Sequence, residues 1–245
     1  MMRFISFICC LALLVSCNSV YTLREAELRS VEVKMTRLDS GLYTLLEPYR
    51  EELNTKMDAI VAFSQQDMVK AQPEGNLGNF MADALMDAAV RVYGVQPDIA
   101  VMNYGGIRLP VLKKGAITTR KIYELFPFDN LLVLVSIRGE VLQQFLDHIA
   151  GRGGWPVAGM QMQIQNKKAV AVIIGNQPLE KERSYLVAMG DYTANGGDDA
   201  SMLKGLPQQN KGYLMRDALL DYLKGLQAAG KALIIENENR VKNAE

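Results

Sequence analysis

Histidine is almost absent from this chain: His148 is the one imidazole among 245 residues. A site that hydrolyses phosphate esters with bound metals needs several His and carboxylate ligands, plus a group that steadies the leaving oxygen. That inventory is missing. Cysteine is scarce too, and its three copies, Cys9, Cys10 and Cys17, all lie at the start. No disulfide can form beyond Cys17, so whatever folds there must be held by its core alone. An excess of one charge is also lacking, because Lys plus Arg equal Asp plus Glu at 27 each. No global field would attract nucleic acid, and any anion site must be local. The longest apolar run, Phe4 to Val15, is too short for a stable bilayer span.

That run is informative for another reason. Arg3 precedes it and small residues follow, which is the pattern of a secretory signal. Leu14-Val-Ser-Cys17 resembles the bacterial lipobox, which implies that residues 1–17 are a lipoprotein signal peptide and that Cys17 becomes the lipidated N-terminus. An uncleaved anchor helix is the alternative. Each acyl chain contributes about 0.8 kcal/mol per buried methylene, so two or three chains hold a folded domain at a membrane durably. The expected location is the bacterial cell envelope, at the outer membrane facing the periplasm. Residues 18–38 are polar and without periodicity, as suits a tether. The folded domain is expected over 39–228, with 229–245 as a polar C-terminal segment.

Within the domain, Leu45, Leu46, Tyr49, Leu53 and Met57 recur at helical spacing, and Ile60 to Phe63 reads as a short buried strand. Leu77, Phe80, Met81, Ala84, Leu85, Ala88 and Val92 form one apolar stripe, which predicts a helix over 76–93 ended by Gly94. Pro97 to Met102 reads as a buried strand that delivers a Gly-rich loop at its carboxyl end. Thr118 or Thr119 is placed to cap a short helix running to Leu125. Leu131–Ile137 reads as a strand, Val141–Ile149 as a helix, and 159–165, 169–174 and 184–190 as strands, with Gly175-Asn176 as a turn. A helix near 213–227 closes the pattern. Interleaved helices and strands without an internal repeat define one α/β domain of α+β type with a mixed sheet covered by helices.

Three loops carry chemistry. In Asn103-Tyr-Gly-Gly-Ile-Arg108, Gly105 and Gly106 let backbone approach a ligand, Asn103 offers a donor and an acceptor, and Arg108 offers a planar fork for ribose or phosphate oxygens. Phe126-Pro-Phe128-Asp-Asn130 sets two rings about a rigid residue, and a base stacked on one gains about 1–3 kcal/mol. Both rings could equally be core, and only one need face a ligand; Phe126 is the one expected to stay inside. Asp191-Tyr192 with Ala194-Asn195-Gly196-Gly197-Asp198 repeats the logic: an aromatic ring, a tight turn and a carboxylate that can accept two hydroxyl hydrogen bonds. His148 reads as a lone base or metal ligand, or more blandly as a partner of its helix terminus or of a surface group. Asp83 and Asp87 could suggest a metal pair, or one cap and one solvated carboxylate. Trp155 fits rim or core equally, and the thirteen methionines fit core gaps.

These blocks, in this order, with Gly75-Asn-Leu-Gly-Asn79-Phe-Met-Ala-Asp83 ahead of them, resemble the C-terminal domain of the 5′-nucleotidase / UDP-sugar hydrolase family over about residues 40–228. The resemblance implies a domain that binds the nucleoside, while a separate calcineurin-like metallophosphatase domain with two divalent metals hydrolyses. By position it implies Phe128 and Tyr192 around the base, Asn103 at the base edge, and Arg108 and Asp198 on the ribose or phosphate side. Gly105, Gly106, Asn195 and Gly197 complete the expected substrate-binding set, and Asn76 and Gly78 shape the helix start beside it. No catalytic residue, metal ligand or cofactor is expected in this chain. Two departures stand out: Lys70-Ala-Gln-Pro-Glu74 occupies the place where many members carry an arginine, and Tyr192 replaces the usual phenylalanine. The leading expectation is a nucleotide-recognition component that works with a separately encoded metallophosphatase in nucleotide catabolism. A stand-alone nucleoside-capture lipoprotein and an interaction protein without a pocket are the alternatives.

Overall fold

A computed structural model describes residues 39–244, so the expected signal peptide, Cys17 and the expected tether lie outside the described residues. Two units part at Leu46–Glu47. Of the first, only residues 39–46 are described, and they form the opening turns of helix α1 (Ser40–Met57), none of whose residues is buried. The remaining elements belong to the second unit. In chain order they are β1 (Ile60–Ser64), β2 (Met68–Val69), α2 (Asn76–Tyr93), β3 (Ile99–Val101), β4 (Val111–Leu112), β5 (Gly115–Thr118), α3 (Thr119–Leu125), β6 (Leu131–Arg138), α4 (Gly139–Gly151), β7 (Val157–Ala158), β8 (Met160–Gln165), β9 (Lys168–Ile174), β10 (Gln177–Pro178), β11 (Ser184–Gly190), α5 (Asp191–Ala194), β12 (Gln208–Leu214), α6 (Met215–Ala228) and β13 (Val241–Asn243). None of the described helices is long and apolar enough to cross a membrane.

The main sheet runs β12-β6-β11-β3-β7, antiparallel except for the parallel pair β11 and β3. Successive side chains of a strand point to opposite faces, so a strand with both faces covered must be apolar throughout. Strand β6 meets this demand over Leu131–Val135, and its polar residues Ser136 and Arg138 are exposed. Leu132 and Leu134 join the core formed with α2 and α6, whereas Val133, Val135 and Ile137 join the core formed with α4 and the second sheet. That second sheet runs β10-β9-β8-β13 and packs on α4 through Ala169, Val172 and Ile174. The result is an α/β domain whose main mixed sheet lies between α2 and α6 on one face and α4 with the second sheet on the other, the class the interleaved pattern predicts.

Strand β1 corrects one expectation. It pairs with β5 in a two-stranded ribbon at the periphery, and Ile60 and Phe63 stand half exposed instead of buried. The polar tail holds a second surprise. Leu233 is fully buried and donates its N–H to the Phe63 carbonyl at 2.7 Å, and Val241 is buried where β13 runs parallel to β8. A carboxylate fastens this return: Glu74 accepts from the backbone N–H groups of Glu238, Asn239 and Arg240 at 3.0, 2.8 and 3.1 Å, and from Asn79 Nδ2 at 2.8 Å. Arg240 then reaches Asp83 through two nitrogens, at 2.6 and 3.0 Å. Asp83 is therefore held in an ion pair instead of capping backbone, whereas Asp87 is solvated, as one of the two was expected to be, and pairs at the surface with Arg91 at 2.8 Å.

Candidate functional site

The carboxyl ends of β3 and β11, which are parallel neighbours, deliver two loops to the same edge of the sheet. That edge is where open α/β sheets present ligand loops. A third loop leads into β6, next to β11. Together they enclose a cavity of about 340 Å³ lined by Asn103, Gly105, Gly106, Arg108, Phe128, Asn130, Tyr192 and Asp198.

The first loop follows β3 as a 3-10 turn over Tyr104–Gly106, closed by Gly106 N–H to the Asn103 carbonyl at 3.0 Å. Gly106 is required by crowding: a Cβ there would sit 2.8 Å from Asn103 Oδ1 and 2.9 Å from Met102 Cε. Gly105 instead faces open space, with Asp198 Oδ2 as its nearest neighbour at 3.9 Å. Lys70 clamps the loop from below, donating to the Ile107 carbonyl at 2.8 Å with its Nζ 4.0 Å from the Tyr104 ring centre. Burial and then the neighbouring Arg108 lower the pKa of that ammonium.

The second loop begins at α5, one short turn after β11. Asp191 accepts at Oδ1 from Leu131 N and Tyr192 N, at 3.0 and 2.8 Å, and so ties the turn to the start of β6. Tyr192 is half exposed, and its ring lies flat on Gly197, where a Cβ would come within 2.5 Å of the ring. Its hydroxyl donates to Asp198 Oδ1 at 3.4 Å and accepts from Asp198 N at 3.2 Å. Asp198 and Asp199 both adopt left-handed backbone, with φ of 49° and 61°, a conformation that costs about 1 kcal/mol or more in non-glycine residues. His148 helps to hold it, with Nε2 2.8 Å from the Asp198 carbonyl. A carbonyl only accepts, so this contact is a hydrogen bond in the Nε2–H tautomer, whereas in the other tautomer the same nitrogen accepts from Arg152 Nε at 3.0 Å. The imidazole thus serves the pocket loop rather than its own helix end. Trp155 is core, packed edge-on against Phe145 and His148.

On the third loop Phe126 is fully buried, as expected, and meets Phe128 edge-to-face with centroids 5.5 Å apart. Phe128 is half-buried and lines the cavity, with the exposed Arg108 guanidinium 4.9 Å from its ring centre. Asn103 and Asp198 are not independent groups, because Asn103 Nδ2 donates to Asp198 Oδ2 at 2.8 Å. That bond orients both, leaving Asn103 Oδ1 and one N–H, and lone pairs of Asp198, for a ligand.

Of the residues expected at the site, Asn103, Gly105, Gly106, Arg108, Phe128, Tyr192 and Asp198 line one cavity. Gly197 acts from behind, by making room for the tyrosine ring. Asn195 is turned elsewhere, accepting from Gln208 Nε2 at 2.9 Å. Asn76 and Gly78 are also off the cavity: Asn76 accepts from Val69 N at 2.6 Å, and Gly78 packs against Pro156. Sequence reasoning missed Asn130, although it ends the Phe-Pro-Phe-Asp-Asn motif; an amide two residues after a stacking ring was the available signal. Among the described residues no group of three or more His, Cys, Asp or Glu side chains gathers to hold a metal ion.

Two rings, an amide pair, a carboxylate and a guanidinium thus gather around one small cleft. Residues 56–205 match the family described as the 5′-nucleotidase C-terminal domain, and the chain belongs to that family. It is 30% identical over 198 residues to a 5′-nucleotidase of Vibrio parahaemolyticus serotype O3:K6, covering 76% of this chain and 34% of that protein. It is 29% identical over 203 residues to Protein 5NUC of Lutzomyia longipalpis, covering 69% and 36%. The chain therefore spans about a third of the length of the curated relatives it matches. A solved structure of a 5′-nucleotidase precursor from Thermus thermophilus superposes with a TM-score of 0.71 at 27% identity, over 84% of this chain and 44% of that one. The fold alone is shared with a Staphylococcus aureus protein described as a putative 5′-nucleotidase, at 15% identity and a TM-score of 0.67, over 88% and 46%.

Proposed function

We propose that this domain recognises a nucleoside or nucleotide, with the base between Phe128 and Tyr192, its edge on Asn103, and Arg108 and Asp198 toward the ribose and phosphate. Hydrolysis is the work of a calcineurin-like metallophosphatase carried on a separate chain, and the two together act as a 5′-nucleotidase-type phosphohydrolase in nucleotide catabolism. The lipid on Cys17 holds the domain at the outer membrane, facing the periplasm. One observation carries the binding reading: five side chains of the right chemistry, from three distant loops, line a single cavity. The lipobox motif supports the anchor, and the family supports a nucleotide substrate with a linked metallophosphatase.

Thermal shift and calorimetry with adenosine, AMP and UDP-glucose test it, on the wild type and on Phe128→Ala. Ligand at 100-fold over Kd adds about 2.7 kcal/mol to the stability of the native protein, and the alanine variant should respond far less. An unchanged response in Phe128→Ala removes the stacking assignment. Phosphate release by the purified chain with Mn²⁺, Co²⁺ or Zn²⁺ should stay at background, and turnover by it alone would overturn the division of labour. If AMP binds no better than adenosine, the phosphate is not read here.

A further inference from the structure

Arg216 is the second residue of α6, and it is nine-tenths buried. The placement is unfavourable: the first turn of a helix carries unpaired N–H groups and the positive end of the dipole, and burying a cation costs more unless every donor is satisfied. Here one is not, since the buried Nε has no hydrogen-bond partner. The other two nitrogens are committed to one loop. Nη1 donates to the Phe128 carbonyl at 3.0 Å and Nη2 to an Asp129 carboxylate oxygen at 2.6 Å, while the guanidinium carbon lies 4.1 Å from the Tyr123 ring centre.

Anchoring the helix does not account for this arrangement, because Met215 N–H already ties the start of α6 to the Asn130 carbonyl at 2.9 Å. The ion pair does not account for it either. The Asp129 side chain is 80% exposed, and a partner in that setting is screened by water. What remains is the carbonyl of Phe128, whose own ring lines the cavity. Fixing that peptide fixes the direction in which the ring leaves the backbone. We propose that Arg216 is a positioning residue for Phe128: a buried cation braced on Tyr123 that pins the 127–130 loop and presents the phenylalanine ring to the pocket. Its effect on ligand affinity rests on the nucleoside reading above; the pinning does not.

The test uses the full chain and three variants, Arg216→Met, Arg216→Lys and Asp129→Ala, with amide hydrogen exchange, adenosine calorimetry and thermal melts. Arg216→Met removes the charge while keeping an unbranched stem, so its Tm should stay within a few degrees of wild type. Exchange over residues 128–131 should quicken at least tenfold and the adenosine Kd should rise about tenfold. Arg216→Lys keeps a donor but not the planar fork and should fall between. Asp129→Ala, which loses only the exposed partner, should bind within twofold of wild type. Wild-type exchange and affinity in Arg216→Met would overturn the proposal, as would a weaker Kd with exchange over 128–131 unchanged. Should Arg216→Met not fold, the same two readouts on Arg216→Lys decide, and wild-type values there overturn it. If wild type binds no adenosine, the nucleoside reading fails by itself, and the exchange result alone decides whether Arg216 pins the loop.

Discussion

Replacing Gly197 by alanine separates binding from folding more cleanly than removing a ring. The new Cβ would lie 2.5 Å from Tyr192 Cε1 and 2.6 Å from Cδ1 and Cζ, whereas carbon atoms rest at about 3.5–4.0 Å. The ring must therefore back away by roughly 1 Å. Tyr192 is half exposed and can move outward, so the strain escapes into solvent and stability should fall by only about 1 kcal/mol, or roughly 2–4 °C in Tm for a domain of this size. The displaced ring loses its hydroxyl contacts to Asp198 and its alignment with the cavity. Stacking on such a face contributes about 1–3 kcal/mol, so the adenosine Kd should rise about 5- to 150-fold. Calorimetry with adenosine beside a thermal melt reads both quantities. Gly105→Ala is the control for crowding, since its Cβ meets only Asp198 Oδ2 at 3.9 Å; its Tm should not move. A Gly197→Ala protein that binds like wild type would refute the claim that the tyrosine face is a pocket wall.

Three other perturbations give sharp expectations. His148→Ala removes the hydrogen bond to the Asp198 carbonyl, and one such bond nets about 0.5–1.5 kcal/mol, so adenosine affinity should fall about two- to tenfold; unchanged calorimetry would show that the loop holds its own shape. Glu74→Gln removes the charge from an acceptor of three backbone N–H groups, which should cost about 2–4 kcal/mol and expose the amides of 238–240 to faster exchange; a Tm drop below about 2 °C would contradict it. Burial first, and then the Asp221 carboxylate, push the Tyr213 hydroxyl up to about 12. A raised pKa means the folded state keeps a proton that the unfolded chain gives up, so this stability is intact below about pH 10 and is lost as pH rises from there toward 12. Melts across that window should decline less steeply in Tyr213→Phe than in wild type, though not become flat, because burial also raises the hydroxyls of Tyr93 and Tyr222.

Where a residue's role depends on its near neighbours along the chain, the sequence was a sufficient guide. The stripe from Leu77 to Val92 marked α2, Gly94 closes it with φ of 73°, and Thr118 caps α3 by accepting from Lys121 N at 3.3 Å. The Val- and Leu-rich run from Leu131 to Ile137 marked β6 as a strand. Strands β12 and β13 were illegible for the opposite reason. Their side chains are polar and largely exposed, and they exist through backbone pairing to β6 and β8, which leaves no periodic trace.

The composition and order of the three loops determined that rings, amides and a carboxylate were available for a polar heterocycle, and the family of the chain was legible from the same blocks. Only the tertiary structure decided which of them share a cavity. It joined Asn103 to Asp198, sent Asn195 to Gln208, brought Asn130 to the pocket wall and set His148 and Arg216 behind the second and third of the cavity loops. Local spacing encodes the chemistry of a loop, because backbone geometry acts over a few residues. Hydrogen-bond partners far apart in the chain are chosen by the packing of sheet and helices, which no stretch of sequence states by itself.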